Sequence, residues 1–158
     1  MRKSLLFLCL VTLLGNAMAQ QSFQRAGIHT GYGFNSYFFE GSYQYDLNSN
    51  LRIEGNAGYA YFYDLTKTPA LQEGSFDLGG SLQWTGNIVE NLHWYAGPAL
   101  MMFLGSKFDI GIGAQGGAEY RFKFPLRVGL EFRPLINANP LCNKHFDMPI
   151  FATAKWCF

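Results

Sequence analysis

Two histidines, His29 and His93, share a strand parity with Ser42, Ser75 and Ser81 and with several aspartates. Those are the residue types a general base needs in order to activate a hydroxyl nucleophile. The linear sequence brings none of them together, and a histidine among charged neighbours of one parity is accounted for as a member of a polar network. Cys142-Asn143-Lys144-His145 supplies one C-x-x-H pair, half of a tetrahedral zinc site, and no second pair stands at matching spacing. Gly111-Ile112-Gly113-Ala114-Gln115-Gly116 spells G-x-G-x-x-G, a pattern that binds dinucleotides only where a strand turns into a helix. Here two-residue alternation runs through the motif and no helical period follows. The residues therefore predict no catalytic group, no cofactor and no metal, and their meaning depends on the elements that carry them.

Those elements are strands. Turn signals between alternating runs place eight of them at about 25–34, 37–47, 51–64, 75–85, 92–104, 108–122, 126–136 and 149–158. In the sixth, Phe108, Ile110, Ile112, Ala114, Ala118, Tyr120 and Phe122 share one parity, while Asp109, Gln115, Glu119 and Arg121 share the other. The seventh repeats this, setting Leu126, Val128, Leu130 and Phe132 against Arg127, Glu131 and Arg133. Such runs span a bilayer when tilted by ~35–45°, and eight of them make the smallest common membrane barrel. Alternation alone also allows a secreted, soluble, lipocalin-like carrier with its charged face outward.

Aromatic placement separates the two readings. If the N-terminus lies on the periplasmic side, Trp84, Trp94 and Trp156, every tryptophan in the chain, fall on the apolar parity near the periplasmic ends of their strands. Tyr43, Tyr45, Tyr120 and Phe122 join that rim, and Tyr32, Phe34, Tyr37, Phe39, Tyr61, Tyr63, Phe76 and Phe108 gather at the opposite ends. Two interfacial girdles require this sorting by height, and a soluble core does not. The fold predicted is all-β, an eight-stranded antiparallel up-and-down transmembrane barrel.

In architecture, girdles and terminal strand the chain resembles the small eight-stranded outer-membrane β-barrel proteins, the group containing the OmpA transmembrane domain and OmpX. The resemblance implies residence in the outer membrane of a Gram-negative bacterium, in contact with its lipid. It also implies that Ile150, Ala152, Ala154, Trp156 and Phe158 form a signal read by the barrel-assembly machinery, a transient partner. Lipid A deacylases of this architecture carry a His-x-Ser motif in a late strand, which this chain lacks. Its role is expected to be structural or surface-interacting and not enzymatic, with a lipid A-modifying enzyme as the alternative.

The inward parity collects Arg25, His29, Glu40, Asp46, Arg52, Glu54, Asp77, His93, Asp109, Glu119, Arg121, Arg127, Glu131, Arg133 and Lys155. Seven acids meet six bases, and a lumen of eight strands is wide enough only for side chains, so a plugged polar network without an open pore is expected. Pro98 stands mid-strand on the lipid-facing parity, where it removes a ladder hydrogen bond, and Pro134 repeats the problem in strand seven. A local bulge or weakened ladder accounts for both. A lateral opening for an acyl chain, as a lipid A acyltransferase would need, is the functional reading of Pro98.

Residues 1–19 read as a cleaved secretory signal, with Arg2 and Lys3 before an apolar run from Leu5 to Leu14 and then Ala17-Met18-Ala19, leaving one domain at 20–158. Without Arg2 and Lys3, ten Lys+Arg face eleven Asp+Glu, a balance that argues against nucleic acid as a partner. Only the connections 65–74 and 137–148 are long enough to present a surface to an extracellular ligand, through Lys67, Gln72 and Glu73 or Asn137, Asn139, Asn143, Lys144 and His145. Cys142 and Cys157 should sit at opposite ends of strand eight, ~30 Å apart, too far for a disulfide. A monomer is expected.

Overall fold

The structure, a computed structural model, describes residues 24–34, 36–64, 71–105, 108–137 and 146–158. The strands are β1 (Gln24–Tyr32), β2 (Ser36–Asp46), β3 (Leu51–Asp64), β4 (Leu71–Val89), β5 (Leu92–Leu104), β6 (Phe108–Arg121), β7 (Leu126–Phe132), β8 (Leu135–Asn137), β9 (Phe146–Asp147) and β10 (Ile150–Cys157). Every pairing is antiparallel, β5 pairs with β6, and β1 pairs with β10 from Arg25↔Cys157 to Tyr32↔Ile150. The sheet therefore closes on itself and leaves no edge. β7 with β8 makes the seventh stave and β9 with β10 the eighth, so the barrel has eight.

Proline explains both interruptions. β7 breaks at Arg133-Pro134, yet Gly116 pairs with Phe132 on one side and Gly113 with Leu135 on the other, so the register does not slip. Ala114 N–H still donates to the Pro134 carbonyl at 3.1 Å, and Arg133 N–H donates to the Pro149 carbonyl at 3.0 Å. At Pro98 the β4–β5 ladder runs from Ser81↔Ala99 directly to Trp84↔Ala96 in the same register. A proline has no N–H to offer there, so a weakened ladder, and not an inserted residue, is what Pro98 produces. Glycine next to it is required by contact: a Cβ on Gly97 would lie 1.8 Å from the Leu82 carbonyl oxygen.

Alternation fixes which side faces in. Along β2 the buried and exposed positions alternate from Ser36 to Tyr45, with Phe38, Glu40, Ser42 and Gln44 inside and Tyr37, Phe39, Tyr43 and Tyr45 outside. The charged parity is the buried one except at the short-turn mouth, where Arg121 is exposed and Asp46 and His93 are half-buried, and the soluble carrier, which needs the reverse, is thereby removed. β4 starts at Leu71, pairing Leu71 with Asp64 and Gly74 with Tyr61, so the tail of the predicted 65–74 loop is strand. Asn137, expected on a loop surface, lies in β8 opposite Gly111 and is buried. In both places the hairpin continues because the partner strand still offers its backbone. Lys67, Asn139, Cys142, Asn143, Lys144, His145 and the predicted signal segment lie outside the described residues.

Candidate functional site

The axis of the barrel is crossed by ion pairs and hydrogen bonds arranged in tiers. Alternation delivers one inward side chain from every second residue, and closure points all of them at one another. At the end carrying the short turns, Arg25 binds both carboxylate oxygens of Asp46. One tier higher, Glu119 Oε1 accepts from Arg52 Nη1 at 2.8 Å and from Arg127 Nη1 at 2.6 Å. Arg52 Nε also donates to Gln83, and its guanidinium lies 4.4 Å over the Tyr95 ring.

Glu54 is the hub of the middle tier. Its Oε2 accepts from Gln44 at 2.8 Å, Gln83 at 2.6 Å and Gln115 at 3.1 Å. Its Oε1 lies 3.1 Å from Lys155 Nζ and 3.2 Å from His29 Nε2, close enough for ion pairing but outside hydrogen-bond alignment. One carboxylate thus ties together side chains from β1, β2, β3, β4, β6 and β10. Above it, Arg133 bridges Glu40 at 2.8 Å and Glu131 at 2.7 Å, and Glu131 also accepts from Tyr95 Oη at 2.9 Å and Gln115 at 2.6 Å.

The uppermost layer holds an apolar cluster, which parity counting did not foresee, beside buried Asp77 and Asp109 opposite Phe103. Phe38, Ala60, Phe62, Met101, Phe103, Leu135 and Phe151 form one buried cluster, with Phe62 and Phe103 edge to face at 5.5 Å and Phe38 and Phe151 at 5.4 Å. The Arg133 guanidinium sits 4.3 Å beneath the Phe151 ring and couples this layer to the ion pairs. Phe151 covers Gly31, where a Cβ would lie 2.4 Å from its ring. The signal was present in the sequence as failed alternation: Tyr37-Phe38-Phe39 and Leu100-Met101-Met102-Phe103-Leu104 are apolar on both parities at the same end of the barrel.

The residues that could have done chemistry are not assembled. His29 is fully buried and its ring nitrogens face Glu54, Glu40 and Glu131. His93 lies at the short-turn mouth against Asn87 Oδ1 at 2.7 Å. Among the described residues neither ring is hydrogen-bonded to a serine: Ser75 donates to the Phe76 carbonyl, Ser81 accepts from Gln83, and the Ser42 hydroxyl has no partner. Gly111, Gly113 and Gly116 lie within β6, with no helix to complete a phosphate-binding turn. Among the described residues no group of three or more potential ligands is placed to hold a metal ion. Asp77 is fully buried with neither carboxylate oxygen hydrogen-bonded.

Outside, Trp84, Trp94, Trp156 and Tyr120 project from the wall at the short-turn end, and Tyr32, Phe34, Tyr37, Phe39, Tyr61 and Phe108 do so at the other. Ile150, Ala152 and Trp156 of the terminal strand face outward while Phe151, Thr153 and Lys155 face in. The Neisserial surface protein A crystal structure superposes with a TM-score of 0.60 at 16% identity, covering 85% of this chain and 96% of that one. The fold is that of the small outer-membrane barrels. The N-terminal barrel domain of Pseudomonas aeruginosa OprF matches at 0.54 and 14% identity, covering 88% of this chain and 100% of that chain. Ail, the attachment invasion locus protein of Yersinia pestis, matches at 0.53 and 10%, with 87% and 100% covered. No protein-family model and no curated protein matches the sequence. What this barrel shares with those three is therefore its architecture.

Proposed function

We propose that the chain is a monomeric integral protein of a Gram-negative outer membrane, a barrel with a plugged interior that serves a structural or surface-interaction role. The observation that carries this reading is the set of contacts across the axis, in which Glu119, Glu54 and Arg133 join opposite walls beneath a buried aromatic cluster. A lumen held this way offers no continuous water path, so function falls to the outer wall and the loops. The wall contacts lipid through its aromatic girdles, and the alternating residues from Ile150 to Phe158 serve the assembly machinery. The signal segment directs export. The segments between β3 and β4 and between β8 and β9 are the candidates for contact with an extracellular ligand, as the attachment role in the name of Ail illustrates for that protein. Replacing both segments with short turns should abolish adhesion of expressing cells to a host-cell layer while the unboiled protein keeps its compact mobility; adhesion at the original level would sink the loop assignment.

The reading is non-enzymatic. It is supported by the full burial of His29 among carboxylates and by the lack, among the described residues, of a hydrogen bond from either histidine to a serine. Lipid A should have the same acyl pattern by mass spectrometry with and without the gene, and a gain or loss of an acyl chain would overturn this.

A further inference from the structure

The barrel opens at its short-turn end into a cavity of ≈ 400 Å³, within the ~300–1,000 Å³ of small-molecule sites. Its charged lining is Arg25, Arg52, Arg121 and Arg127 against Asp46 and Glu119, an excess of two positive charges before His93 is counted. The carboxylates are already engaged. Arg25 holds Asp46, while Arg52 and Arg127 converge on a single oxygen of Glu119, Oε1. Arg121 is exposed and has no ion pair among the described residues.

Two further observations point to a missing anion. The register sets Arg121 directly opposite Arg127, and Arg127 directly opposite Lys155; like charges so placed repel across an antiparallel pair. Lys155 escapes toward Glu54, whereas Arg121 has no comparable partner. In addition, Arg25 Nε, Arg52 Nη2 and Arg127 Nε have no hydrogen-bond partner among the described residues, although these residues are only 4%, 2% and 9% exposed. Buried guanidinium donors without acceptors are costly, and an oxyanion with several oxygens satisfies more than one at once.

Glu119 Oε2 narrows the class. It too is buried with no hydrogen-bond partner among the described residues, so a ligand that accepts from the arginines and donates a proton to this oxygen would satisfy both. We propose that the basin binds a phosphate or phosphomonoester, whose charged oxygens accept from Arg52, Arg121 and Arg127 and whose P–O–H donates to Glu119 Oε2. Sulfate has the same charge and shape but no O–H at neutral pH, and should be discriminated against.

Calorimetric titration of the folded protein in zwitterionic detergent, at constant ionic strength, tests this with inorganic phosphate and sulfate. Phosphate should bind saturably at one site, with sulfate about tenfold weaker for the lost charge-assisted hydrogen bond. Arg121→Gln, at an exposed position outside the crossing network, should weaken phosphate about tenfold, the effect of one charge-assisted hydrogen bond. Lys123→Gln, an exposed cation in the neighbouring turn, should change nothing. Absence of saturable heat, equal affinity for sulfate, or unchanged phosphate affinity in Arg121→Gln would each overturn the proposal. Repeating the titration in nanodiscs with and without phosphatidic acid separates the sources: weaker phosphate binding in the phosphatidic acid discs assigns a lipid headgroup, and unchanged binding assigns soluble phosphate.

Discussion

At the scale of single residues the interior is a set of unequal electrostatic commitments. Glu54 carries the charge that faces Lys155 and His29 and accepts from three glutamines, so Glu54→Gln removes the compensation of a lysine that is almost wholly buried. Breaking a buried pair from one side costs about 3–5 kcal/mol, and equilibrium unfolding in detergent should register a loss of that size. Asp77 has the opposite standing, because neither of its oxygens is hydrogen-bonded and burial gives it no return. Asp77→Val, which takes both unmatched oxygens away, should therefore stabilise the barrel by about 1–3 kcal/mol in the same measurement, and destabilisation would show that Asp77 has a partner the contacts do not reveal. Parity made the inward set legible in the sequence. The pairing was not, because Arg133 meets Glu40 only after the sheet has closed, across 93 positions of chain.

At the scale of elements, turn signals and alternation placed the staves, and proline and pairing adjusted them. The extension of β4 to Leu71 and the burial of Asn137 were illegible for one reason: a hairpin lengthens for as long as its partner presents hydrogen-bonding groups, whatever the side chains of the tip. Pro98 was legible as a defect, and its size follows from the register, which skips from Ser81↔Ala99 to Trp84↔Ala96 without shifting. Pro98→Val restores an N–H to the ladder and places a β-branched side chain on the lipid side. Since one ladder bond contributes about 0.5–1.5 kcal/mol net, the denaturant midpoint should rise accordingly. A fall would mean that the fixed proline backbone is itself needed where Gly97 passes so close to Leu82.

At the scale of the whole molecule, the plugged lumen proposed above would resist passage in two layers, by different physics. An ion entering from the short-turn mouth passes the basic basin and then meets the paired charges around Glu54 and Arg133, where it would have to break a pair to proceed. Past Arg133 it meets the rings of Phe38, Phe62, Phe103 and Phe151, against which desolvation is costly. The layers are in series, so removing one leaves the other. In planar bilayers the protein should give no reproducible, long-lived ohmic steps, and Phe151→Ala, which thins only the aromatic layer, should remain equally silent. Conductance in the variant alone would locate the barrier in the aromatic layer and reduce the ion pairs to a structural role. Steady conductance in the unaltered protein would mean that the tiers open as a unit, and the barrel would then have to be understood as a channel.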